Sequence, residues 1–458
     1  AFILRIEDTD VERNRDEWSD GIISAMHWLE LDFDEGPFFQ SELLPDHVAA
    51  AEALYANGYL YACDCTREQI DERIKGNAKP GYDGYCRDRH LERSEATALR
   101  FRVPDEGTTV VHDVIRGEVT FTHDSYEDFV VVKSNGIVLY PLANAVDDRS
   151  MGITHIIRGE DLLPTTPKQV LMWEALNNSV GVETVALPLY AHLPMLVNEQ
   201  RKKLSKRKDD VALESYRDQG FLPEAFVNYL ALLGWSPRGD DEIVPRATLV
   251  EQFRLEDVSH SPAFFDVKKL THINGTYIRA MTVAQFIDAA QPWLDPQSDG
   301  WSPTSWRDPD TGAAIVSAAP WATEHFDGER FAQLASVVQE RVEVLGDVPA
   351  LVDFLFLPDA PFDEESWQKA IINDDSAPQI LGAAHDGYSD CEWTHESIKD
   401  VTQAIADAVG KKLGKAQAPI RVATMGRTRG LPLFDSLEVL GRDETLRRIE
   451  VARARIAA

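Results

Sequence analysis

Long apolar runs are missing from this chain: no stretch of about 18 apolar residues occurs, so no membrane-spanning helix is expected. Cysteine is scarce. Four in 458 residues cannot make a disulfide scaffold, and a reducing cytoplasm is the natural setting. No secretory leader is visible. Cationic residues are also outnumbered, 46 Lys and Arg against 77 Asp and Glu, for a formal net charge of −31. A general nucleic-acid binder carries a basic surface, so any contact with a polyanion here has to be confined to a local groove or strip. The acid excess fits a protein kept soluble in a salt-rich setting by surface carboxylates. Internal repeats and low-complexity tracts are absent as well. What remains is a chain with 44% hydrophobic and 9% aromatic residues, long enough for two to four domains with sizeable cores. It opens at Ala1 inside the strand-like Phe2–Ile6 rather than at a methionine, and a preceding N-terminal piece is expected.

The first half alternates strand and helix signals. Phe2–Ile6 reads as a buried strand running into Glu7-Asp8-Thr9-Asp10. Thr9 with Glu12 forms a capping-box pattern, and Trp18, Ile22, Met26 and Leu29 fall on one face of the following helix. Ser134-Asn135-Gly136 marks a hairpin. Pro141–Met151 reads as a short helix, Ile153–Ile157 as a buried strand ending in Arg158-Gly-Glu-Asp161, and Thr166-Pro167 opens another helix to about Leu176. Leu187–Val197 is a further buried strand. Strands alternating with helices predict a parallel sheet, with functional groups at the carboxyl ends of its strands. From Pro223 to Gly234 a helix carries proline at its start and glycine at its end. Beyond about residue 280 amphipathic helices dominate, with 283–293, 328–344, 364–373, 395–411 and 442–456 the clearest.

Several constellations carry chemistry. Lys203-Leu-Ser-Lys-Arg-Lys-Asp-Asp210 follows the strand 187–197, and Glu199-Gln-Arg-Lys202 extends its basic run. Two lysines three apart with a serine between them suit a phosphate chain, since ammonium groups neutralise phosphoryl oxygens and a loop can close over a nucleotide. Such an octamer is also the ordinary composition of a solvated loop. Glu7-Asp8-Thr9-Asp10 could capture an amino group or ribose hydroxyls, or simply complement a helix dipole. Tyr140, Asn144 and Arg158 lie within one helix–strand unit. An arginine after an apolar strand needs an anionic partner, and its planar fork suits a substrate carboxylate. Cys63-Asp-Cys65 followed by Cys86-Arg-Asp88 and His90 has the pattern of a zinc knuckle, with Asp88 or His90 completing a tetrahedral set. Cys391 stands alone and reads as a buried apolar residue.

Together these residues resemble a bacterial-type glutamyl-tRNA synthetase, a class I aminoacyl-tRNA synthetase. The resemblance rests on Phe2-Ile-Leu-Arg-Ile-Glu-Asp-Thr-Asp10, Tyr140-Pro-Leu-Ala-Asn-Ala-Val-Asp-Asp148, Ile157-Arg-Gly-Glu-Asp-Leu162, Lys203-Leu-Ser-Lys-Arg207 and Tyr229-Leu-Ala-Leu-Leu-Gly-Trp235. Gly414-Lys415 through Gly441-Arg442, with Gly430-Leu-Pro-Leu-Phe434, is similar to the family's anticodon region. The resemblance implies an α/β Rossmann-type catalytic domain with a small inserted acceptor-binding domain, followed by an all-α anticodon-binding region. On that reading residues 1–60 and 129–222 are the two halves of the catalytic domain, 61–128 the insertion, 223–295 a helical stem-contact domain and 296–458 the anticodon-binding domains. It implies reaction of L-glutamate with ATP, accompanied by Mg²⁺, to give glutamyl-adenylate, and transfer to tRNA(Glu) by a cytoplasmic monomer. Lys206, Lys203, Ser205, Asp161 and Leu162 would serve ATP and catalysis, and Glu7, Tyr140, Asn144 and Arg158 glutamate. Cys63, Cys65, Cys86 and Asp88 (or His90) would hold structural Zn²⁺. For tRNA the candidates are Lys411, Lys412, Lys415 and Arg427, with Lys268-Lys269, Arg421 and Arg429 also considered.

One family signature, a His-x-Gly-His turn, occurs nowhere in the sequence. It is expected before Phe2, and residues 1–458 expressed alone are expected to lack adenylation activity; full aminoacylation by them would overturn this reading. The nearest alternatives are a glutaminyl-tRNA synthetase, disfavoured by the helical second half, a glutamyl-queuosine tRNA synthetase, disfavoured by length, and a non-catalytic tRNA-binding paralogue, disfavoured by the intact Lys203, Lys206, Arg158 and Glu7.

Overall fold

A computed structural model describes residues 1–9, 15–76, 81–179, 183–204, 212–239, 241–295 and 319–457. The chain divides into two compact units, the first formed by 1–209 and 227–266 and the second by 210–226 and 267–458. Among the described residues no helix is long and apolar enough to cross a membrane.

In the first unit, strands β1 (Ile3–Ile6) and β2 (Glu35–Phe39) pair in parallel around helix α1 (Asp16–Trp28). Helix α2 (Leu44–Ala56) leads to β3 (Leu60–Cys63), which pairs antiparallel with β4 (Ala98–Phe101), itself paired with β7 (Val130–Val132). Between them lie helix α3 (Arg67–Ile74) and the hairpin β5 (Thr108–Asp113)–β6 (Gly117–Thr122). Helix α4 (Tyr140–Ser150), β8 (His155–Gly159), α5 (Thr166–Asn177) and β9 (Leu189–Leu193) follow, then the short β10 (Leu196–Val197), which pairs with β11 (Ala263–Phe264). The larger sheet has the order β6-β5-β9-β8, with β5, β9 and β8 parallel and β6 antiparallel. Residues 61–128 therefore contribute to two sheets. The α2–α4–α5 side packs on the β3-β4-β7 sheet through Leu54, Leu99, Val131, Leu142 and Met172, each at most 1% exposed.

The expected hairpin at Ser134–Gly136 is present, closed by Lys133 N–H to the Ile137 carbonyl at 2.8 Å and by Leu139 N–H to the Val131 carbonyl at 2.8 Å. Other expectations change. The predicted parallel sheet is mixed, and β1–β2 forms a separate ladder. The strand expected over 187–197 breaks at Pro194, whose missing N–H cannot serve a ladder, and its last residues pair elsewhere. Helix α1 starts at Asp16 with Arg15 at its cap, so Thr9 does not cap it, and Glu12 lies outside the described residues. The stripe on α1 is buried only at its far end: Leu29 is 3% exposed but Trp18 is 58% and Ile22 50% exposed. Strand β8, read as buried, is the edge strand of its sheet, and Ile157 is half-exposed.

The second unit is helical among its described residues. It comprises α6 (Leu213–Gln219), the first turn of α7 (Pro223–Ala231), α9 (Val267–Ala280), α10 (Val283–Leu294), α11 (Gly328–Gln339), α12 (Val348–Phe356) and α13 (Glu364–Trp367). These are followed by α14 (Ala377–Asp390), α15 (His395–Ala408), α16 (Leu413–Met425), α17 (Leu433–Leu440) and α18 (Arg442–Ala457); α8 (Arg246–Gln252) belongs to the first unit. Of these, α6, α9, α12, α14, α16 and α17 are not among the helices singled out from the sequence. Gly220 ends α6 at φ +92°, and a Cβ there would sit 2.5 Å from the backbone nitrogens of Leu345 and Gly346, so glycine alone lets that loop close. Buried Asn274 ties the unit together, accepting from Leu222 N–H at 2.7 Å and donating to the Glu343 carbonyl at 2.6 Å.

Candidate active site

The parallel register of β8 and β9 sets Arg158 beside His192, and β5 ends next to them in Asp113. These are the carboxyl ends of neighbouring strands, where an open α/β sheet presents functional groups. Arg158 is part-buried and donates through Nε to His192 Nε2 at 3.2 Å, through one terminal nitrogen to Tyr140 Oη at 2.8 Å, and through the other to Thr166 Oγ1 at 2.8 Å and Gln169 Oε1 at 2.7 Å. All four acceptors are formally neutral, and among the described residues no carboxylate forms a salt bridge with Arg158. Its positive charge is oriented but uncompensated. A guanidinium has five N–H groups, so one remains for a ligand. Burial pushes the Tyr140 phenol above its usual value, although Arg158 works against that rise, so the hydroxyl stays protonated and can donate onward to an anion.

Tyr140 and Asn144 stand four residues apart on α4 and share a face, about 6 Å along the axis. Asn144 donates to Glu7 Oε1 at 2.6 Å and accepts from Gln40 at 3.0 Å. Arg5 lies 3.7 Å from the same Glu7 oxygen. The Glu7 side chain is 42% exposed, open to an incoming cation. Beneath it, buried Asp147 accepts from Gln40 at 2.7 Å and contacts His47 at 2.6 Å, and Arg5 pairs with Asp148 at 2.8 Å. Asp8 takes no part in this face, because its carboxylate caps Ser41 through both N–H and hydroxyl. The face of α4 thus offers an unpaired cation at one end and a carboxylate at the other. That is the charge complement of an amino acid carrying a second anionic group.

Beside the separate β10–β11 ladder, Asn198–Lys203 makes a tight turn that returns Lys203 opposite Val197. Lys203 Nζ donates to Asp161 Oδ2 at 2.8 Å, and this bond holds the Asp161 carboxyl below the ordinary carboxylate range. Leu162 lies beside Asp161, and its carbonyl receives the Thr166 hydroxyl at 3.3 Å. Ser205 and Lys206 lie outside the described residues.

The cysteine cluster forms as expected, with a different surrounding. The sulfurs of Cys63, Cys65 and Cys86 all lie within 4.8 Å of one another. Arg100 donates to Cys63 at 3.3 Å, Arg73 to Cys65 at 3.3 Å and Arg89 to Cys86 at 3.4 Å. Burial opposes ionisation of Cys63, yet bonds from the Cys65 backbone, Arg100 and Tyr82 outweigh it and lower its pKa. Cys65 is pushed up to about 12, by burial and by the bond it shares with Cys86. Three sulfurs converging with cationic donors around them fit a thiolate-bound ion. Asp88 does not join them: it is exposed and its carboxylate is held by Arg102 at 2.6 Å, because the chain after Cys86 turns outward. His90, exposed at φ +51°, is not in the convergent group either. Two oxygens stand beside the sulfurs: the Asp64 carboxylate, 3.3 Å from Cys86 Sγ but exposed and paired with Arg89 at 2.8 Å, and the hydroxyl of buried Tyr82, which is 3.7 Å from Cys63 Sγ and accepts Cys86 N–H at 2.6 Å. Cys391 is half-buried.

In the second unit the cations separate. Lys411 is paired with Asp374 at 2.5 Å, and Arg427 with Asp353 and the Ala350 carbonyl. Arg421 donates to the Leu431 carbonyl and is spent in the interior. Lys412 and Lys415 are exposed at the start of α16 with no carboxylate partner among the described residues. Arg427 also lines a cleft of about 760 Å³ with Phe362, Lys369 and Arg429.

Residues 1–272 match the family described as tRNA synthetases class I (E and Q), catalytic domain, and residues 285–453 match the anticodon binding domain. The chain is 52% identical over 459 residues to a glutamate–tRNA ligase of Frankia alni, covering 100% of this chain and 92% of that protein. It is 50% identical to one of Thermobifida fusca, covering 100% and 91%. The crystal structure of a glutamate tRNA ligase from Elizabethkingia meningosepticum in complex with its amino acid superposes with a TM-score of 0.76 at 26% identity, covering 99% of this chain and 92% of that one. With its strand-end cation, its facing carboxylate and its helical second unit, the chain belongs to the glutamate–tRNA ligase family of class I aminoacyl-tRNA synthetases.

Proposed function

We propose that this chain joins L-glutamate to tRNA(Glu) in two steps at the site around Arg158. The observation that carries the reading is the uncompensated Arg158 guanidinium facing Glu7 across one turn of α4. Glu7 takes the substrate ammonium, with Asn144 fixing its carboxylate. Arg158 and Tyr140 take the side-chain carboxylate. The remaining carboxylate attacks the α-phosphorus of ATP, the bond to the bridging oxygen breaks, and pyrophosphate leaves. A ribose hydroxyl at the tRNA terminus then attacks the acyl carbon and releases AMP. Asp161 and Leu162 border the nucleotide. Lys203 and Lys206 place positive charge on the phosphates, which such a displacement needs more than a covalent catalyst. Mg²⁺ would accompany ATP on its phosphate oxygens, which need only one or two protein carboxylates to complete such a site.

Glutamine is the substrate to exclude. An amide presents a dipole where Arg158 requires a full negative charge, and an uncompensated buried cation is costly. ATP–pyrophosphate exchange by the full natural chain, with tRNA present, is expected with glutamate and not with glutamine; exchange with glutamine alone would refute the assignment.

Zinc binding belongs to the same reading. Cys63, Cys65 and Cys86 supply three thiolates, and the Tyr82 hydroxyl is the fourth donor the geometry favours, in place of Asp88. The ion would brace the α3 loop. Purified protein is expected to carry about one zinc per chain, as a closed tetrahedral site does. Tyr82→Phe should release it to a chelator far faster than Asp88→Asn does, and the opposite order would return the fourth position to Asp88.

For tRNA, Lys412 and Lys415 replace Lys411 and Arg427 as the free cations. Reversing both to glutamate should weaken tRNA binding and flatten the plot of log affinity against log salt by about 0.7–0.9 for each phosphate that is no longer neutralised. An unchanged slope would remove them from the footprint.

A further inference from the structure

His192 and Asp113 have no part in the chemistry above, yet both are buried and joined to it. His192 is fully inaccessible and Asp113 is 5% exposed. Asp113 accepts the His192 backbone N–H at 3.0 Å and approaches its Nδ1 at 2.6 Å, while Ile115 N–H at 3.0 Å and Arg116 N–H at 2.8 Å hold the carboxylate from the other side. A carboxylate bonded this way can only accept, so Nδ1 carries the proton and Nε2 presents a lone pair. That lone pair faces the Nε–H of Arg158 at 3.2 Å, with the Thr166 hydroxyl at 3.0 Å.

We propose that Asp113 and His192 are positioning residues that aim Arg158 at the substrate carboxylate while leaving its charge uncompensated. The physical point is the neutrality of the anchor. A carboxylate in direct contact with Arg158 would fix it equally well but would cancel the charge that selects glutamate. A neutral imidazole fixes it without that loss, and Asp113, one ring away, sets the tautomer. Burial keeps His192 uncharged, against the pull of Asp113. Were Nε2 protonated, two N–H groups would oppose each other and the guanidinium would turn away. The inference rests on the proposed role of Arg158.

The two amide replacements of His192 separate the contacts. His192→Gln places its carbonyl near the Nε2 position and keeps an acceptor for Arg158. His192→Asn keeps a partner for Asp113 and loses Arg158. With the full natural chain, His192→Asn should raise KM for L-glutamate by about 10- to 100-fold, the usual cost of losing an orienting partner, and reduce the preference for glutamate over glutamine by a similar factor. KM for ATP should stay put, and His192→Gln should remain near native. Asp113→Asn forces an amide N–H onto Nδ1 and flips the tautomer, so it should behave like His192→Asn. The double variant Asp113→Asn/His192→Gln should recover, which a merely structural role would not produce. Equal behaviour of the two His192 variants, or no recovery in the double variant, overturns the proposal. If Arg158→Gln itself leaves KM for glutamate unchanged, the reading of Arg158 fails instead.

Discussion

Replacing Arg158 with glutamine is expected to lower kcat/KM for L-glutamate by about 10²- to 10³-fold, corresponding to roughly 3–4 kcal/mol at 1.36 kcal/mol per decade. Truncating one member of a desolvated, hydrogen-bonded charge pair costs about 2–5 kcal/mol, because the partner is left unmatched and the bond itself is gone. Here the effect is compounded inside the protein: the acceptors on Tyr140, Thr166, Gln169 and His192 would be deprived of a common donor. The effect should fall on glutamate and spare ATP, whose proposed contacts lie at Asp161 and the lysine loop. Pyrophosphate exchange in the presence of tRNA, with both substrates varied, checks it. A decrease below about tenfold would show that a single strong charge-assisted bond is not at stake.

Phe331→Ala should cost the helical unit about 3–5 kcal/mol, the range for emptying a buried aromatic site. The Phe331 side chain is fully buried on α11 against Phe286 of α10, with ring centroids 6.3 Å apart. The helices on both sides are amphipathic elements whose stability comes from this packing more than from propensity. For a unit of this size melting temperature drops by about 2–4 °C per kcal/mol, so its transition should fall by roughly 6–20 °C. Calorimetry of the full natural chain measures it. A fall under about 2 °C would mean that the site collapses around the cavity or that Phe331 is not a core residue.

Much of the architecture is legible in local pattern. The helix starts at Tyr140 and Thr166, the hairpin at Ser134–Gly136 and the helical second half follow from capping, proline placement and periodicity, all of which act within a few residues. So do the proposed site residues that end a strand or share a helix face, namely Glu7, Arg158, Tyr140 and Asn144, whose roles the exchange experiments above test. The edge position of β8 does not follow from pattern, since an apolar strand reads alike whether one neighbour covers it or two.

Residue order alone determined which groups exist: an arginine after an apolar strand, two lysines in a loop, three cysteines within one segment. Tertiary structure decided what each of them meets. Asp113 sits in a hairpin read as part of an insertion, and His192 in a run read as plain core. They become partners of Arg158 through the register of three parallel strands, a property of no single strand. Asp88 is nearest to Cys86 in sequence, yet the chain folds Tyr82 onto the sulfurs and turns Asp88 to Arg102. Lys411 and Lys412 are adjacent, yet a carboxylate from another helix connection neutralises the first. Propensity and periodicity are short-ranged, whereas hydrogen bonds and ion pairs join groups that strand register and loop closure bring together from far along the chain.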